Sequence, residues 1–500
     1  MGRTKPLSRA RPAQRPRAPA GATLRDGQGA RTGSSRQGPF GSEDRSAAPG
    51  FRGTRRGRSD RSSRPDRSRH GDLIVGRTLT RRILESRATG SQWEGSDYFE
   101  VEPDLVLGHD ATIALIVDQI GEAIERILDP EKLFLVADHF APPSTVDRAN
   151  ILRRFLDFAK NSDAGEVHLF EGICHQILVE SSRCVPGSLI VGADSHTTTA
   201  GALGAFACGM GSTDILAVLL TGTTWLRVPP AIRVPFYGRM PEHLRGKDLA
   251  LRLLGDLGEG GARYKAVEFE DRSDAPGIAF DGRLTLSNMA VECGAKNGIW
   301  IPDDRTRQYF HSMGGEWPAE AELYPDDDAE YEQSIAVELD DLEPMIAQPW
   351  SPANTVPVSS IEGIEVDQVF IGSCAGGRLE ELGDAALLLR GQRIPAFVKV
   401  VVTPASTGVY REALRRGWIA DLIDAGAVVT NPSCGACGGI DKGLIAAGEV
   451  CVSTSNRNFR GRMGDVEGRV YLASGLTAAA TALTGRITDP RELLREKTVS

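Results

Sequence analysis

The sequence predicts an α/β protein with mainly parallel sheets, because helical spacing alternates with short β-branched runs along the chain. Apolar side chains recur at helical intervals in residues 79–84 and 113–128. Short runs rich in Val, Ile, Leu and Phe predict buried strands at residues 133–137, 188–191, 366–371, 397–402 and 450–453. In such a fold we expect the functional side chains in loops at the carboxyl ends of the strands.

Two proline-containing segments divide the chain into parts of domain size. One is Val228-Pro229-Pro230, and the other is the Pro-rich stretch 348–358. We therefore predict domains at residues 75–230, 231–355 and 356–500, each long enough to bury its own core. The sequence has no uninterrupted apolar stretch of about eighteen residues, which argues against a membrane-spanning helix.

Charge is distributed unevenly along the chain, although the formal net charge is only −9. Residues 1–70 contain 17 Arg and 1 Lys against 5 acidic residues, whereas the rest of the chain holds 40 basic and 62 acidic groups. Residues 1–74 have too few large apolar side chains to fold, so we predict a disordered tail there. An inert tail, or a start assigned too far upstream, is favoured over a targeting peptide and over an arm for nucleic acid.

Three of the eight cysteines lie in glycine-rich turns that follow predicted strands. Cys434 and Cys437 form a Cys-x-x-Cys motif after the strand-like residues 427–430, and Cys374 lies within Gly-Ser-Cys-Ala-Gly-Gly after the predicted strand 366–371. Structural zinc normally has four ligands, and a thioredoxin-type dithiol follows the first strand of a small domain, so neither suits this set well. An iron–sulfur cluster that lacks a fourth thiolate suits it better. Free thiols need a reducing environment, so the cytoplasm is the expected location.

Two Asp–His pairs follow predicted strands and are candidates for general acid–base chemistry. They are Asp138 with His139 and Asp194 with His196. A carboxylate beside an imidazole orients the ring and raises its basicity, although one such pair by itself is about as often a cap or a core histidine. His175 and His109 are the third and fourth candidate histidines.

Residues 454–462 are rich in Asn, Arg and Gly and directly follow the predicted strand 450–453. Exposed arginines usually form a solvated face, but at a strand end they suit a loop that binds an anion. Arg457 or Arg462 could bind a substrate carboxylate through its planar fork of N–H donors. The glycine-rich residues 201–211 lack the spacing of a dinucleotide fingerprint and precede a good N-cap at 212–214, so they indicate close packing.

Seven segments resemble, in the same order, motifs of the aconitase superfamily, and within it the branch of the 3-isopropylmalate dehydratase and homoaconitase large subunits. The resemblance covers residues 75–495 and rests on Asp138-His139, Gly-Ile-Cys-His-Gln-Ile at 172–177, Gly-Ala-Asp-Ser-His-Thr at 192–197, Asn-Met-Ala-Val-Glu at 288–292, Gly-Ser-Cys at 372–374, Cys-Gly-Ala-Cys at 434–437 and Ser-Asn-Arg-Asn-Phe-Arg-Gly-Arg at 455–462. It implies three α/β/α domains around an iron–sulfur cluster, and a hydro-lyase acting on a small di- or tricarboxylic acid.

The resemblance also implies an order among the possible activities. A 3-isopropylmalate dehydratase is favoured, with homoaconitase and dimethylmalate- or methylmalate-type dehydratases as alternatives. A cluster-sensing RNA-binding protein is a more distant alternative.

The resemblance assigns a role to each candidate residue. The ligands of a 4Fe-4S cluster would be Cys374, Cys434 and Cys437. Departure of the substrate hydroxyl as water would be assisted by Asp138, His139, His175, Asp194 and His196. Substrate would be bound by His109, Ser195, Arg457 and Arg462. Support for the cluster and for the groups around the substrate would come from Asn288, Glu292 and Asn456.

The chain departs from the superfamily at two places. Ala375 and Gly376 stand where the family has Thr and Asn, which removes side-chain hydrogen bonds near the cluster but none of its ligands. Single-chain aconitases also carry a swivelling domain with the serine that abstracts the proton. Here we expect that domain on a separate small subunit, and we expect the isolated chain to be nearly inactive.

Overall fold

The computed structural model of the chain describes residues 76–90, 97–121, 126–318 and 323–499, and for Asp118 and residues 496–499 it describes the backbone alone. The tail predicted to be disordered, residues 1–74, lies outside the described residues. Helices alternate with short strands in the described residues, which confirms the predicted α/β class. Within the same residues, no helix combines the length and apolar character needed to cross a membrane.

A parallel sheet organises the first part of the described chain. Its elements are α1 (Leu79–Ser86), β1 (Tyr98–Val101), β2 (Leu105–His109), α2 (Asp110–Ile120), β3 (Leu133–Ala137), α3 (Val146–Asn161), β4 (Glu166–Leu169), α4 (Cys174–Val179), β5 (Leu189–Gly192), β6 (Phe206–Gly209), α5 (Ser212–Thr221) and β7 (Thr224–Arg227). The parallel strands are ordered β4-β3-β2-β5-β6, while β1 and β7 form a separate antiparallel pair. All residues of β3 are buried, which explains its continuous apolar sequence.

A second parallel sheet lies in the middle of the chain. Its elements are β8 (Ala231–Tyr237), α6 (Gly246–Leu257), β9 (Ala266–Asp271), α7 (Phe280–Met289), β10 (Asn297–Trp300), α8 (Asp304–Ser312), β11 (Gln333–Ser334) and β12 (Val337–Glu338). The strand order is β10-β9-β8-β11, and β12 also pairs with β8.

A mixed sheet occupies the last part of the chain. Its elements are β13 (Met345–Ala347), β14 (Thr355–Pro357), β15 (Gln368–Ile371), α9 (Leu379–Leu389), β16 (Lys399–Val402), α10 (Thr407–Arg415), α11 (Trp418–Ala425), β17 (Val428–Val429), β18 (Val450–Ser453), β19 (Arg469–Ala473), α12 (Gly475–Thr484) and α13 (Pro490–Val499). The order is β14-β13-β19-β18-β15-β16-β17, parallel from β19 to β17, with β13 antiparallel to both of its neighbours.

One hydrophobic core continues through the three sheets. Leu107 of β2, Phe269 of β9 and Phe370 of β15 all belong to it. Short 3-10 helices follow some of the strands, among them Ser195–Leu203 after β5 and Gly435–Gly438 after β17. Because the sheets share a core, the loops at their strand ends are held at fixed separations.

The structure confirms the predicted strands and corrects two local predictions. β3 and β18 have the predicted bounds, and the other predicted strands agree to within two residues at each end. The helix predicted at 113–128 instead spans Asp110–Ile120, because Gly121 ends it at φ 45° with its N–H on the carbonyl of Val117. The N-cap of α5 is Gly211, and Ser212 already belongs to the helix. The bounds of the three predicted domains stay predictions.

Candidate active site

The carboxyl ends of β2, β3 and β5 bring predicted acid–base residues together. These strands are parallel neighbours, so the residues that follow them meet at one edge of the sheet. His109 ends β2, Asp138 and His139 follow β3, and Asp194 follows β5. The imidazole rings of His109 and His139 stack with their centroids 4.1 Å apart. The sheet therefore builds one polar cluster from three segments of the chain.

Asp138 and His139 form a close acid–base pair. Nδ1 of His139 lies 2.6 Å from Oδ1 of Asp138, and the other carboxylate oxygen accepts the backbone N–H of Cys174 at 2.8 Å. Burial lowers the pKa of His139, but the charge of Asp138 and the hydrogen bond to it outweigh burial and raise that pKa to about 9. His139 is therefore protonated at neutral pH. Because Asp138 binds Nδ1, Nε2 is the nitrogen that can pass a proton on.

Asp110 holds the turn that presents this pair, and the sequence analysis did not identify it. Its carboxylate accepts the backbone N–H groups of His139 at 3.1 Å and of Phe140 at 2.8 Å. The side chain is fully buried; burial raises the pKa of its carboxyl group, and repulsion from Asp138 raises it further. Its position directly after β2, as the first residue of α2, is the one local signal that points to it.

The carboxylate of Asp194 connects two histidines. Its Oδ1 lies 2.8 Å from Nε2 of His175 and accepts the backbone N–H of His196 at 2.8 Å. Burial lowers the pKa of His175, so this ring is mostly neutral at pH 7. Burial also lowers the pKa of His196, but hydrogen bonds to Asp194 and Glu292 outweigh burial and raise it. One carboxylate thus contacts two imidazoles whose pKa values are shifted in opposite directions.

Glu292 and Ser195 anchor Arg457 inside the site. Nε of Arg457 lies 2.8 and 3.0 Å from the two carboxylate oxygens of Glu292, and its Nη2 donates to Oγ of Ser195 at 3.0 Å. Glu292 also contacts Nε2 of His196 at 2.8 Å. Burial raises the pKa of Glu292, but His196 and Arg457 outweigh burial and lower it. These four residues form one hydrogen-bonded chain beside Asp194.

Two of the three predicted ligand cysteines contact Asn456, and the third, Cys434, is hydrogen-bonded to Cys437. Its Nδ2 donates to Sγ of Cys374 at 3.4 Å, and its Oδ1 accepts from Sγ of Cys437 at 3.5 Å. Asn288 donates to the same Cys374 sulfur at 3.2 Å. Burial raises the pKa of the Cys374 thiol to about 12, whereas a hydrogen bond with Cys434 lowers the pKa of Cys437. Two amide donors therefore converge on the Cys374 sulfur, and Asn456 joins it to Cys437 of the other strand-end turn.

Glycines shape the turn that carries Cys434. Gly435 has φ 52°, a left-handed conformation that suits glycine. A Cβ added at Gly438 would lie 3.1 Å from Sγ of Cys434, which is tighter than ordinary van der Waals contact. The turn therefore leaves space around this sulfur because it lacks side chains at these positions.

The cysteine turn is also hydrogen-bonded to the loop after β3. Nδ2 of Asn431 and Nζ of Lys442 donate to the backbone carbonyl of Ala141 at 2.7 and 2.6 Å. Lys442 also donates to Oγ of Ser433 at 2.8 Å. These contacts hold the sulfurs beside the acid–base pair.

Arg462 supplies a positive charge next to the sulfurs. Its Nε is buried and has no hydrogen-bond partner in the part of the chain that the structure describes. Burial lowers the pKa of the guanidinium group, but the charges of Cys437 and Cys434 outweigh burial and raise it. A cation with an unused donor suits an anionic group at this position. The thiols, the amide donors and this cation together fit an iron–sulfur cluster bound through three thiolates.

Thr454 fills the space beside the two residues that depart from the family pattern. A Cβ at Gly376 would overlap Thr454, and Ala375 is fully buried. Oγ1 of Thr454 accepts the backbone N–H of Gly372 at 2.8 Å and lies 2.8 Å from the carbonyl oxygen of Gly376. The threonine hydroxyl thus makes hydrogen bonds in a turn whose own residues 375 and 376 have no polar side chains. All the predicted site residues lie in the network described here, and their individual roles stay predictions.

Comparison with known proteins shows the family of the chain. The sequence model of the aconitase family (aconitate hydratase) matches residues 81–485. The chain belongs to the aconitase family. Membership of the aconitase family confirms the predicted resemblance, and it identifies the chain as a hydro-lyase of the iron–sulfur type.

Several relatives within the aconitase family match over their full length. The 3-isopropylmalate dehydratase large subunit 1 of Methanopyrus kandleri is 44% identical over 84% of this chain and 100% of that protein. The 3-isopropylmalate dehydratase large subunits of Nitratiruptor sp. and Wolinella succinogenes are each 43% identical over the same shares. Among solved structures, the holo-form of aconitase X from Thermococcus kodakaraensis aligns with 74% of this chain and 89% of its own, at 16% identity and a TM-score of 0.43.

Proposed function

We propose that this chain is the catalytic large subunit of a 3-isopropylmalate dehydratase, a hydro-lyase of leucine biosynthesis. The observation that carries the proposal is the presence, in one site, of the Asp138–His139 pair and the three cysteines: Cys374 and Cys437 contact Asn456, and the backbone N–H of Cys434 donates to Asp138. Relatives of that name share 44% and 43% of their residues with this chain and are matched over their full length. The reaction moves a hydroxyl group between two carbons of a 2-hydroxy acid through an unsaturated acid.

The cofactor in this proposal is a 4Fe-4S cluster held by Cys374, Cys434 and Cys437. With three protein ligands one iron would stay open, and the cluster would supply Lewis-acid chemistry at the substrate hydroxyl and carboxylate. Asn288 and Asn456 keep Cys374 oriented through hydrogen bonds to its sulfur.

His139 is the group that we assign to protonate the departing hydroxyl. It holds a proton at Nε2, because Asp138 binds Nδ1 and keeps the ring cationic at neutral pH. Transfer of that proton lets the oxygen leave as water. His109 stacks on the ring and restricts its rotation. We assign Asp194 and the mostly neutral His175 to orient the substrate through hydrogen bonds.

Arg457 and Arg462 bind the substrate carboxylates in this proposal. Arg457 is oriented by Glu292 and Ser195, and Arg462 has an Nε without a partner within the described ranges. Residues 71–500 hold 40 basic and 62 acidic groups, so the long-range field of this part of the chain repels a dicarboxylate. Local guanidinium groups therefore have to provide the attraction.

A separate small subunit completes the enzyme in this proposal. The matched relatives are named large subunits, and this chain covers all of their length. The small subunit would carry the base that abstracts the proton, so the isolated chain would turn substrate over slowly or not at all. We also assign the enzyme to the cytoplasm, because its eight cysteines are free thiols and suit a reducing compartment.

The experiment uses the chain co-expressed with its small subunit and purified without oxygen. Dehydration of 3-isopropylmalate forms a conjugated acid that is followed by ultraviolet absorbance, with homocitrate and dimethylmalate as competing substrates. We expect turnover of isopropylmalate only when both chains are present. No absorbance change with any of the three acids contradicts a hydro-lyase, and faster turnover of homocitrate contradicts the proposed substrate.

A matched pair of histidine variants controls this experiment. His139→Gln should lose activity. His168→Gln should keep it, because His168 lies between Glu171 and Glu166 at the β4 edge of the first sheet.

A further inference from the structure

Lys247 is buried beside the cysteine site although its side chain carries a charge. It lies in the first turn of α6 and is only 1% exposed. Its Nζ donates to the backbone carbonyl of Ser455 at 2.8 Å and to Sδ of Met289 at 3.2 Å. Lysine is almost never fully buried unless it is paired, and neither of these hydrogen-bond acceptors is a carboxylate. The position therefore calls for a compensating charge.

The compensating charges around this ammonium group are incomplete. Burial lowers the pKa of Lys247 to about 8, because desolvation outweighs the attraction of Glu381, Cys437 and Cys374. Glu381 is itself buried, burial raises the pKa of its carboxyl group, and its Oε2 has no partner among the described residues. Neither hydrogen-bond acceptor of Nζ is charged, so the site leaves room for a further negative group beside this cation.

Both hydrogen-bond partners of Lys247 adjoin an asparagine that contacts a cysteine. Ser455 precedes Asn456, whose Nδ2 lies 3.4 Å from Sγ of Cys374. Met289 follows Asn288, whose Nδ2 lies 3.2 Å from the same sulfur. One side chain on α6 therefore joins the loop after β18 to the end of α7, and both segments present amide donors to Cys374.

We propose that Lys247 is a positioning residue for the iron–sulfur cluster: its ammonium group compensates the negative charge of the cluster with its three thiolates and holds both asparagine segments against the sulfurs. This inference rests on the cofactor of the proposed function. A nearby cation stabilises the cluster after it has gained an electron, so loss of the cation disfavours reduction. In the protein without cluster, the same cation is a buried charge without full compensation and destabilises the fold.

Two neutral variants and one control test this role. Lys247→Met keeps the length of the side chain, and Lys247→Gln keeps a donor near Ser455. Lys399→Met is the control, because Lys399 at the start of β16 is half exposed and pairs with Glu449, which directly precedes β18. Each full-length chain is reconstituted without oxygen, its iron and sulfide are counted, and its reduction midpoint is measured by visible and electron paramagnetic resonance spectra. The melting temperature is measured before reconstitution.

The neutral variants should have a lower reduction midpoint but no loss of thermal stability before reconstitution. In both Lys247 variants we expect one-electron reduction to become about tenfold less favourable, a midpoint about 59 mV lower. Before reconstitution we expect them to melt at the wild-type temperature or above it. Lys399→Met should match the wild type in both measurements.

The possible failures are distinguishable. The inference is overturned if both neutral variants bind a full cluster and their reduction equilibrium constants differ from that of the wild type by less than about twofold. Neutral variants that fail to fold overturn it as well, because Lys247 would then be needed for the stability of the protein without cluster. A wild-type chain that takes up no cluster instead refutes the cofactor of the proposed function.

Discussion

The backbone carbonyl of Asp138 accepts a hydrogen bond from the backbone N–H of Cys434 at 3.1 Å. This bond joins the turn after β3 to the cysteine turn after β17. The carboxylate of Asp138 meanwhile binds His139 and the backbone N–H of Cys174. A displacement of either turn therefore moves both, and the proton donor keeps a fixed separation from the sulfurs.

Replacing Asp138 by Asn should move the alkaline limit of activity. The pKa of His139 is about 9 because Asp138 outweighs the effect of burial. His139 acts in its protonated form, so the wild-type rate should fall as the pH rises through about 9. In Asp138→Asn the neutral amide no longer supports the cation, and the limit should fall by about one to three pH units. The pH profile of kcat/KM measures this change, and an unmoved limit excludes His139 as the acid.

Replacing Cys437 by Ser should abolish the cluster, whereas Cys184→Ser and Cys451→Ser should retain it. Cys437 contacts Asn456 in the site. Cys184 and Cys451 are fully buried in the hydrophobic core, and their thiols donate to the backbone carbonyls of Ala200 and Val452. Iron and sulfide content per chain distinguishes the variants. Equal losses in all three would disprove the assignment of the ligands.

Replacing Arg457 by Lys should weaken substrate binding while keeping the charge. Lysine lacks the planar fork that contacts Glu292 and Ser195. Loss of a hydrogen bond to a charged group costs about 1.5–3 kcal/mol, which corresponds to roughly a tenfold to 150-fold fall in kcat/KM. Arg460→Lys is the control, because the Arg460 guanidinium lies 4.2 Å over the ring of Trp350. Similar falls in both variants would argue against carboxylate binding by Arg457.

Replacing Asp110 by Asn should destabilise the protein before the cluster is bound. The two oxygens of Asp110 accept the backbone N–H groups of His139 and Phe140. An asparagine amide has only one oxygen, so one of these buried donors loses its acceptor. The expected loss is about 1–3 kcal/mol in the free energy of unfolding. A lower urea midpoint shows it. Asp157→Asn, which removes an exposed pair with Arg153 on α3, should leave the midpoint nearly unchanged. Equal midpoints for the two variants would contradict the role of Asp110.

The sequence predicts strand ends well, whereas it does not predict contacts between distant segments. The apolar run at 133–137 marks β3 and therefore places Asp138 and His139 at its end. The helical period continues on both sides of Gly121, so α2 is shorter than the sequence predicts. Lys247 gives no local signal, because Ser455 lies in the loop after β18 and approaches α6 only through tertiary packing.

The central claim is that the Asp138–His139 pair and the three cysteines form one dehydrating site. Exchange of the substrate hydroxyl with isotopically labelled water tests it most directly, with 3-isopropylmalate, both subunits and mass spectrometry. We predict that the wild-type complex incorporates the label and that Cys437→Ser and His139→Gln do not. Incorporation at the wild-type rate in Cys437→Ser, or none in a wild-type complex with full iron content, would contradict the account.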